Sequence, residues 1–546
     1  MCGIYGITTN NRKFVEDYIE LCDHRGPDGR GVWNDDHVTI GHNLLSITDD
    51  PDASRQPYVT PKGNILSYNG EIFNYDELCE KFTEFKPRTK CDTELLAWGL
   101  DRQGLDFIEH IDSQHAFAYY QKDSKRLTLS RDHAGIKPLY YKRVPEGLAF
   151  GSEIKGLSPS REVDIEAMSC FAYAGVNALP NTFHKDVRQL LPGETIVYDC
   201  VARQFQERTR QQILPTNDHE FDGEEFRHRL HSVVRNATLG QQKIAVCLSG
   251  GLDSTTIAHE LMRTKGEVNA FSCEIKPGPL NDDYVLARQL AESRGYDFTR
   301  IATNPYTTEK HWRSALLACE SPMMSEDIAM EYQTNLEMAR QGVVVVLKGG
   351  LGDETMAGYN HYLRTDWRQV RHASDVWRVW LNRDPQLFHH PALLSQAEVA
   401  ELLSANYGAA PDSDDPLNSY MALDCVTLAQ GRFMDRGDKI GMAHSLESRY
   451  PYASKQWMRY AFSIPSRHKI AGGVTKALTR EAYRGLLPDS IVDFPKRGWD
   501  VPTRHWLQNN AGFQRFHTHS VAQDRTGIQH WTTRDWIHTA GKIITH

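Results

Sequence analysis

The sequence predicts an α/β protein in two units, an α+β unit of short strands followed by an open parallel sheet flanked by helices. Three observations predict it. At 546 residues the chain is too long for one hydrophobic core. Up to about residue 200 it runs in short apolar segments broken by Gly, Pro, Asn and Asp; from 223 it runs in short apolar strands followed by long amphipathic helices. The stretch "VVVVL" at 343–347 suits a strand covered on both faces, as in a parallel sheet.

In the first unit, "GNILSYNGEIFNY", "LTLSRDHAGIKPLYYKR", "GLAFGSEI" and "GETIVYDC" read as strands and hairpins, with "DTELLAWGLDRQG" a helix among them. The polar, weakly periodic stretch 202–222 is the joint, which divides the chain into domains 1–205 and 220–546. In the second unit, "KIAVCLSGGLDSTTIAHELM" is a strand, a glycine turn and a helix. "VNAFSCEI" with "DYVLARQLAESRG" repeats that order, and "GVVVVLKGG" is a third strand. Residues 415–510 read mostly as helix, and the last forty residues carry no signal.

Composition narrows the class. The chain is 40% hydrophobic and 24% charged, with a formal net charge of -9, which argues against a nucleic-acid surface. Ten cysteines without a C-x-x-C pair argue against zinc knuckles and dithiol redox sites and suit a reducing, cytoplasmic setting. No apolar run approaches the roughly 20 residues of a membrane span. The residues after Thr8 turn polar, unlike a signal peptide. The expected partners are small molecules, with no nucleic acid or membrane, and homodimerisation is left open.

Two stretches carry chemistry. "LSGGLDSTT" (Leu248–Thr256) joins a strand to a helix, so the backbone N–H groups of its glycines and the helix start make an anion cradle. It lacks the lysine of a Walker loop; Asp253 beside phosphates makes sense if Mg²⁺ bridges the two. Cys2 follows the initiator methionine. If Met1 is removed, thiol and α-amine share one residue, and an amine of pKa roughly 7.7–8.0 can serve as its own base. Position alone favours an ordinary buried thiol. "HRGPDG" at 24–29 and "YNGEIFNY" at 68–75 read, each by itself, as turns.

Taken together, "MCGI", "HRGPDG" and "YNGEIFNY" resemble, in order and spacing, the class II glutamine amidotransferases, an α+β N-terminal nucleophile sandwich. The resemblance implies that Cys2 is the nucleophile and that Asn69 and Gly70 form the oxyanion hole. Glutamine would lie against Leu44, Leu45, Ser46, Ile47, Asn69, Gly70, Glu71 and Asp92. Asp92 would hold its α-amine, Glu71 would supply a backbone contact, and "SRDHAGIKPLYY" at 130–141 would form a core strand and turn. The S-G-G-x-D-S string resembles the pyrophosphate loop of enzymes that split ATP to AMP and pyrophosphate. With "DRGDKIGMAHSLESRYPY" at 435–452, which carries Asp438, Glu447 and Arg449, the second unit resembles the synthetase half of the asparagine synthetase family, an adenine-nucleotide hydrolase-like fold.

For ATP that resemblance implies Leu248, Ser249, Gly250, Gly251, Asp253, Ser254, Cys273, Lys348, Gly349 and Lys476. Lys476 would reach the phosphates, and Arg480, four residues on, would share its helix face. Asp253 and Asp353, the latter in Gly352-Asp353-Glu354, would hold Mg²⁺. Two positions depart from the family. "LLSI" at 44–47 has Leu44 where the family has the arginine that grips the glutamine carboxylate, so Arg25 or Arg55 would have to substitute. "LKGGLGDE" has Gly350 where the family has a carboxylate or amide, which makes Lys348 the candidate to neutralise the acceptor acid or the α-phosphate. The implied reaction is MgATP-dependent amide synthesis with ammonia released from glutamine at Cys2. Aspartate is the default acceptor, a sugar acid or modified amino acid the alternative, and a catalytically silent binding protein the third reading.

Overall fold

The computed structural model describes residues 2–496 apart from 161, 178, 241, 278–281, 324–326, 365–376, 378–380, 382–392 and 408–413, and beyond 496 only residues 502, 505, 506, 509 and 510. Most of the stretch 510–546 therefore lies outside the described residues.

The first unit holds β1 (Cys2–Ile7), β2 (Gly29–Asn34), β3 (Thr39–Leu44), β4 (Tyr58–Val59), β5 (Ile65–Ile72), β6 (Ser113–Gln121), β7 (Arg126–Arg131), β8 (Tyr140–Val144), β9 (Gly147–Gly151), β10 (Arg188–Gln189), β11 (Glu194–Asp199) and β12 (Gln204–Arg210). They form two antiparallel sheets, in the orders β10-β8-β9-β1-β3-β2 and β12-β11-β7-β6-β5-β4. Ile4, Ile40 and Phe150 of one sheet pack on Ile65, Ala118 and Leu129 of the other. Helix Arg12–Leu21, capped by Asn11, seals the outer face of the first sheet with Val15, Tyr18 and Ile19. Helix Asp92–Gln103 lays Leu95, Leu96 and Leu100 against Leu66 and Tyr68 of the second. The result is a helix–sheet–sheet–helix sandwich.

The strand period of two then decides which residues meet. Along β5, Leu66, Tyr68 and Ile72 face the outer helix, so Ile65, Ser67, Asn69 and Glu71 face the other sheet and β1. Tyr68-Asn69-Gly70, whose Asn-Gly alone reads as a turn, lies inside this strand. At the joint, β12 continues to Arg210 as an edge strand and helix Gly223–Asn236 opens the second unit.

The second unit is built on β13 (Ile244–Cys247), β14 (Asn269–Ile275), β15 (Asp297–Thr303), β16 (Val345–Leu347) and β17 (Glu447–Arg449). Every pair is parallel, in the order β15-β14-β13-β16-β17. The chain extends the sheet from β13 to one side through β14 and β15, then returns to its other side with β16. The crevice at the carboxyl ends of β13 and β16 is therefore a topological switch point, where open α/β sheets bind ligands.

Residues 435–452 are not one long helix. Helix Asp435–Met442 ends in a turn, and Glu447–Arg449 then pairs with the free edge of β16. Lys476 is likewise outside its helix: it stands at the entry to Ala477–Tyr483 in a left-handed conformation, φ 54°. The two units share one hydrophobic cluster, in which Leu45, Ile47 and Phe73 of the first meet Leu248, Met434 and Tyr450 of the second.

Candidate functional site

Two centres form, one in each unit. In the first, Cys2 stands at the start of β1, opposite Leu44 of β3. Its backbone nitrogen donates to Asn69 Oδ1 at 2.9 Å. That bond fixes the Asn69 amide and leaves its Nδ2 buried with no partner. A buried donor without an acceptor is costly, and this one stands beside the Cys2 residue. Gly70 admits no larger side chain, because a Cβ there would strike the Gln114 carbonyl oxygen. Burial pushes the Cys2 thiol up, against the pull of the Leu45 N–H and the chain's amino terminus.

Around this nucleophile the glutamine-binding candidates separate into groups. Asp92 Oδ2 accepts from Ile72 N at 2.9 Å and from the Tyr68 hydroxyl at 3.1 Å. Burial raises its carboxyl to about 6, opposed by those two hydrogen bonds. Glu71 is buried and paired to Arg449 Nη2 at 2.8 Å, while Arg449 Nε bonds Glu447 at 2.6 Å. Ser46 N donates to Asp28, and Leu45 and Ile47 turn into the core shared by the two units. Leu44 is buried against Gly29 and offers no charge.

Both expected substitutes for the missing arginine are paired elsewhere. Arg25 is fully buried, with Nε on the Cys2 carbonyl at 3.2 Å, Nη1 on Glu153 at 3.2 Å and Nη2 on Asp438 at 2.8 Å. Arg55 is exposed and paired with Asp52. Among the described residues, the cation that faces Glu71 is Arg449, from the second unit. Arg449 lies in the stretch 415–510 that reads mostly as helix, and no local pattern places it beside the glutaminase centre. Replacing it with Met is expected to lower stability by about 3–5 kcal/mol, because the buried Glu447 carboxylate, which Arg449 holds below its usual range, would lose its cation. The midpoint of a urea titration reads this.

The second centre lies at the switch point, where a cavity of about 720 Å³ opens. Ser249, Gly251, Leu252, Asp253 and Ser254 line one wall, and Lys348 to Leu351 and Asp353 another. The loop is held from within: Ser254 Oγ accepts from Ser249 N at 3.1 Å and donates to the Gly251 carbonyl at 3.1 Å. Gly250 has φ 86°, and a Cβ there would strike the Asp283 carbonyl. Leu248 and Cys273 are buried behind the wall, Cys273 Sγ 3.1 Å from Thr334 Oγ1.

Lys476 bridges the two carboxylates proposed for metal. It bonds Asp253 Oδ2 and lies 2.5 Å from Asp353 Oδ1, while Lys496 holds Asp353 Oδ2 at 2.6 Å. The lysines hold the Asp353 carboxyl below its usual range, whereas burial raises that of Asp253. Asp253 Oδ1 has no partner. Among the described residues no cluster of three His, Cys, Asp or Glu side chains could hold a metal alone. Two carboxylates with an open oxygen do fit Mg²⁺, which binds through one or two carboxylates plus substrate phosphates. Arg480 lines the same cavity as Lys476, its Nε on the Thr475 carbonyl at 2.9 Å.

Lys348 points into this cavity, and its Nζ donates to Glu331 at 2.8 Å. Glu331, Arg436, Tyr450 and Lys496 line the same space, though no local motif singles any of them out. The only sequence signal for the first was a polar spacing of four, Asp327-Glu331-Asn335, on an amphipathic helix.

Comparison with known proteins follows this division. A family model described as asparagine synthase matches residues 225–539, and one described as a glutamine amidotransferase domain matches residues 1–209. The chain is 24% identical over 566 residues to asparagine synthetase (glutamine-hydrolyzing) 1 of Bacillus subtilis (strain 168), covering 93% of this chain and 88% of that protein. It is 25% identical to asparagine synthetase (glutamine-hydrolyzing) 3 of the same organism, covering 90% and 86%. It is also 23% identical to Amidase chry2 of Gibberella zeae, covering 90% and 85%. None of the described helices is long and apolar enough to cross a membrane. With both units matched, the chain belongs to the asparagine synthase family, its synthase domain preceded by a glutamine amidotransferase domain.

Proposed function

We propose that this chain hydrolyses glutamine at Cys2 and uses the ammonia to amidate a carboxylic acid activated by ATP in the second cavity, in the cytoplasm. The observation that supports the first half best is the pairing of Cys2 with an Asn69 amide whose carbonyl is bonded and whose N–H₂ is not. Because burial favours the neutral thiol, the sulfur needs a base. With Met1 removed, the nitrogen now bonded to Asn69 becomes a free α-amine that can take the thiol proton as sulfur attacks the glutamine amide carbon. The Asn69 N–H₂ and the Gly70 N–H then face the developing oxyanion. The amine returns the proton to the departing ammonia, and water releases glutamate.

In the second centre, Lys476 and Lys496 would exchange their carboxylate partners for phosphate oxygens as ATP enters. Asp253 and Asp353 would hold Mg²⁺, which supplies charge neutralisation on the phosphates. The acceptor carboxylate displaces pyrophosphate from the α-phosphate, and ammonia displaces AMP from the acyl-adenylate. L-aspartate is the first acceptor to test. A different acid, such as a sugar acid or a modified amino acid, is favoured by Gly350, which puts no side chain where the resembling family has a carboxylate or amide. Pyrophosphate release with MgATP and glutamine, screened over candidate acids with product mass, tests both.

If Asp92 holds the glutamine α-amine, the interaction needs its ionised form. A carboxyl raised to about 6 is neutral below that pH, so glutaminase kcat/KM, which already falls as the α-amine base gains a proton, is expected to steepen by about a further tenfold per pH unit on the acid side of pH 6. A pH–rate profile of glutamate release checks this, and a limb breaking near pH 4 would remove Asp92 from that role.

A further inference from the structure

The loop after β16 has no room for a side chain at position 350. A Cβ on Gly350 would lie 2.6 Å from Met434 Cε and 2.9 Å from Tyr450 Cδ1. The Tyr450 ring fits there only because residue 437 is also glycine, since a Cβ at 437 would strike its hydroxyl. Two glycines thus frame one buried aromatic ring in the cavity wall, and a polar side chain for the acceptor must come from elsewhere.

Helix Asp327–Arg340 faces this wall. Asp327, Glu331 and Asn335 recur every fourth residue, so they form one stripe, and all three line the cavity. Arg436 forks onto Asp327, at 3.2 and 2.8 Å, and its Nε donates to Glu331 Oε2 at 3.0 Å. The other Glu331 oxygen accepts from Lys348 Nζ at 2.8 Å. Asp327 balances Arg436, which leaves Glu331 and Lys348 as a one-to-one pair. An ammonium has three donors, and Glu331 takes one, so two remain for a ligand. One turn beyond Glu331, the Asn335 side chain is fully buried, with both its amide oxygen and its amide nitrogen unpartnered. That is a polar group still lacking its ligand.

Resting on the acid-amidating function above, we infer that Glu331 and Asn335 position the acceptor, Glu331 by holding the Lys348 ammonium against the reacting carboxylate and Asn335 by hydrogen-bonding a second polar group of the same molecule. The acceptor class is then a carboxylic acid that carries a hydroxyl, amine or amide of its own. Tyr450 closes the space beside it, and residue 350 takes no part.

The test uses the full chain with MgATP and ammonia, following pyrophosphate release with amino, hydroxy and sugar acids, L-aspartate and D-glucuronate among them. Glu331→Gln keeps the shape of the side chain and removes its charge. It should raise the acceptor KM at least about tenfold, the scale of one charge-assisted hydrogen bond, and leave the ATP KM unchanged. It should also bring a loss of activity at alkaline pH within reach. The groups that face Lys348 are Glu331, Tyr450 and Cys247, and without the carboxylate its ammonium gives up its proton at lower pH. Glu331→Asp should restore part of the affinity. Asn335→Ala, which breaks no ion pair, should raise the acceptor KM while a melting curve shows an intact fold. An unchanged acceptor KM in both Glu331→Gln and Asn335→Ala would overturn the inference, as would an ATP KM that rises in step with it, which would place the stripe in the nucleotide site. A wild-type chain that binds ATP but releases pyrophosphate with none of the acids would overturn the underlying function, and the inference with it.

Discussion

Cys2→Ala is expected to lower glutamine-dependent amide synthesis by about 10⁴-fold or more, the scale on which removal of a covalent nucleophile acts. Ammonia-dependent synthesis and pyrophosphate release should persist. The separation follows from the architecture: Cys2 sits at the head of an antiparallel sandwich, whereas Asp253, Lys476 and Lys348 line a cavity on a different, parallel sheet. A methyl group in place of the buried thiol disturbs neither the Cys2 N–H bond to Asn69 nor the Arg25 contact to its carbonyl. Loss of both activities would make Cys2 structural. Retained Met1 in a mass spectrum of active enzyme would remove the α-amine as base.

Asp253→Asn should reduce pyrophosphate release by about 100-fold or more, as for loss of one preorganised electrostatic group, while glutamate release from glutamine continues. Asp253, Asp353, Lys476 and Lys496 form a nearly balanced quartet. Removing one carboxylate leaves the cradle more positive, so ATP should still bind, and the defect should appear in turnover rather than in nucleotide affinity. Lost ATP binding would instead mean that Asp253 serves to hold the loop together. A native rate of ATP cleavage would refute its role outright.

What was legible in the sequence is what contiguous residues encode. The S-G-G-x-D-S loop and the valine run that leads into β16 are local, and each lies where its pattern implies. Contacts between distant segments were not legible. Arg25 meets Asp438 across 413 residues and Arg449 meets Glu71 across 378, and no local periodicity marks either pair. Within 415–510, which reads mostly as helix, 447–449 form a strand for a tertiary reason: they complete the edge of β16, and the buried Glu447 and Arg449 pair with each other while Arg449 also pairs with Glu71. The same limit applies at Lys348. Its position on the loop could be read, but its partner Glu331 lies on a helix whose spacing by itself describes a solvated face.

The central claim is that nitrogen from glutamine reaches an acid activated as an acyl-adenylate. The measurement closest to it is a single reaction with amide-¹⁵N glutamine and MgATP, using the acceptor that supports pyrophosphate release. Its products are read by mass and counted. Equal amounts of glutamate, AMP and pyrophosphate, with ¹⁵N in the new amide, are predicted. ADP and phosphate, or an unlabelled product formed while glutamine is hydrolysed, would contradict it.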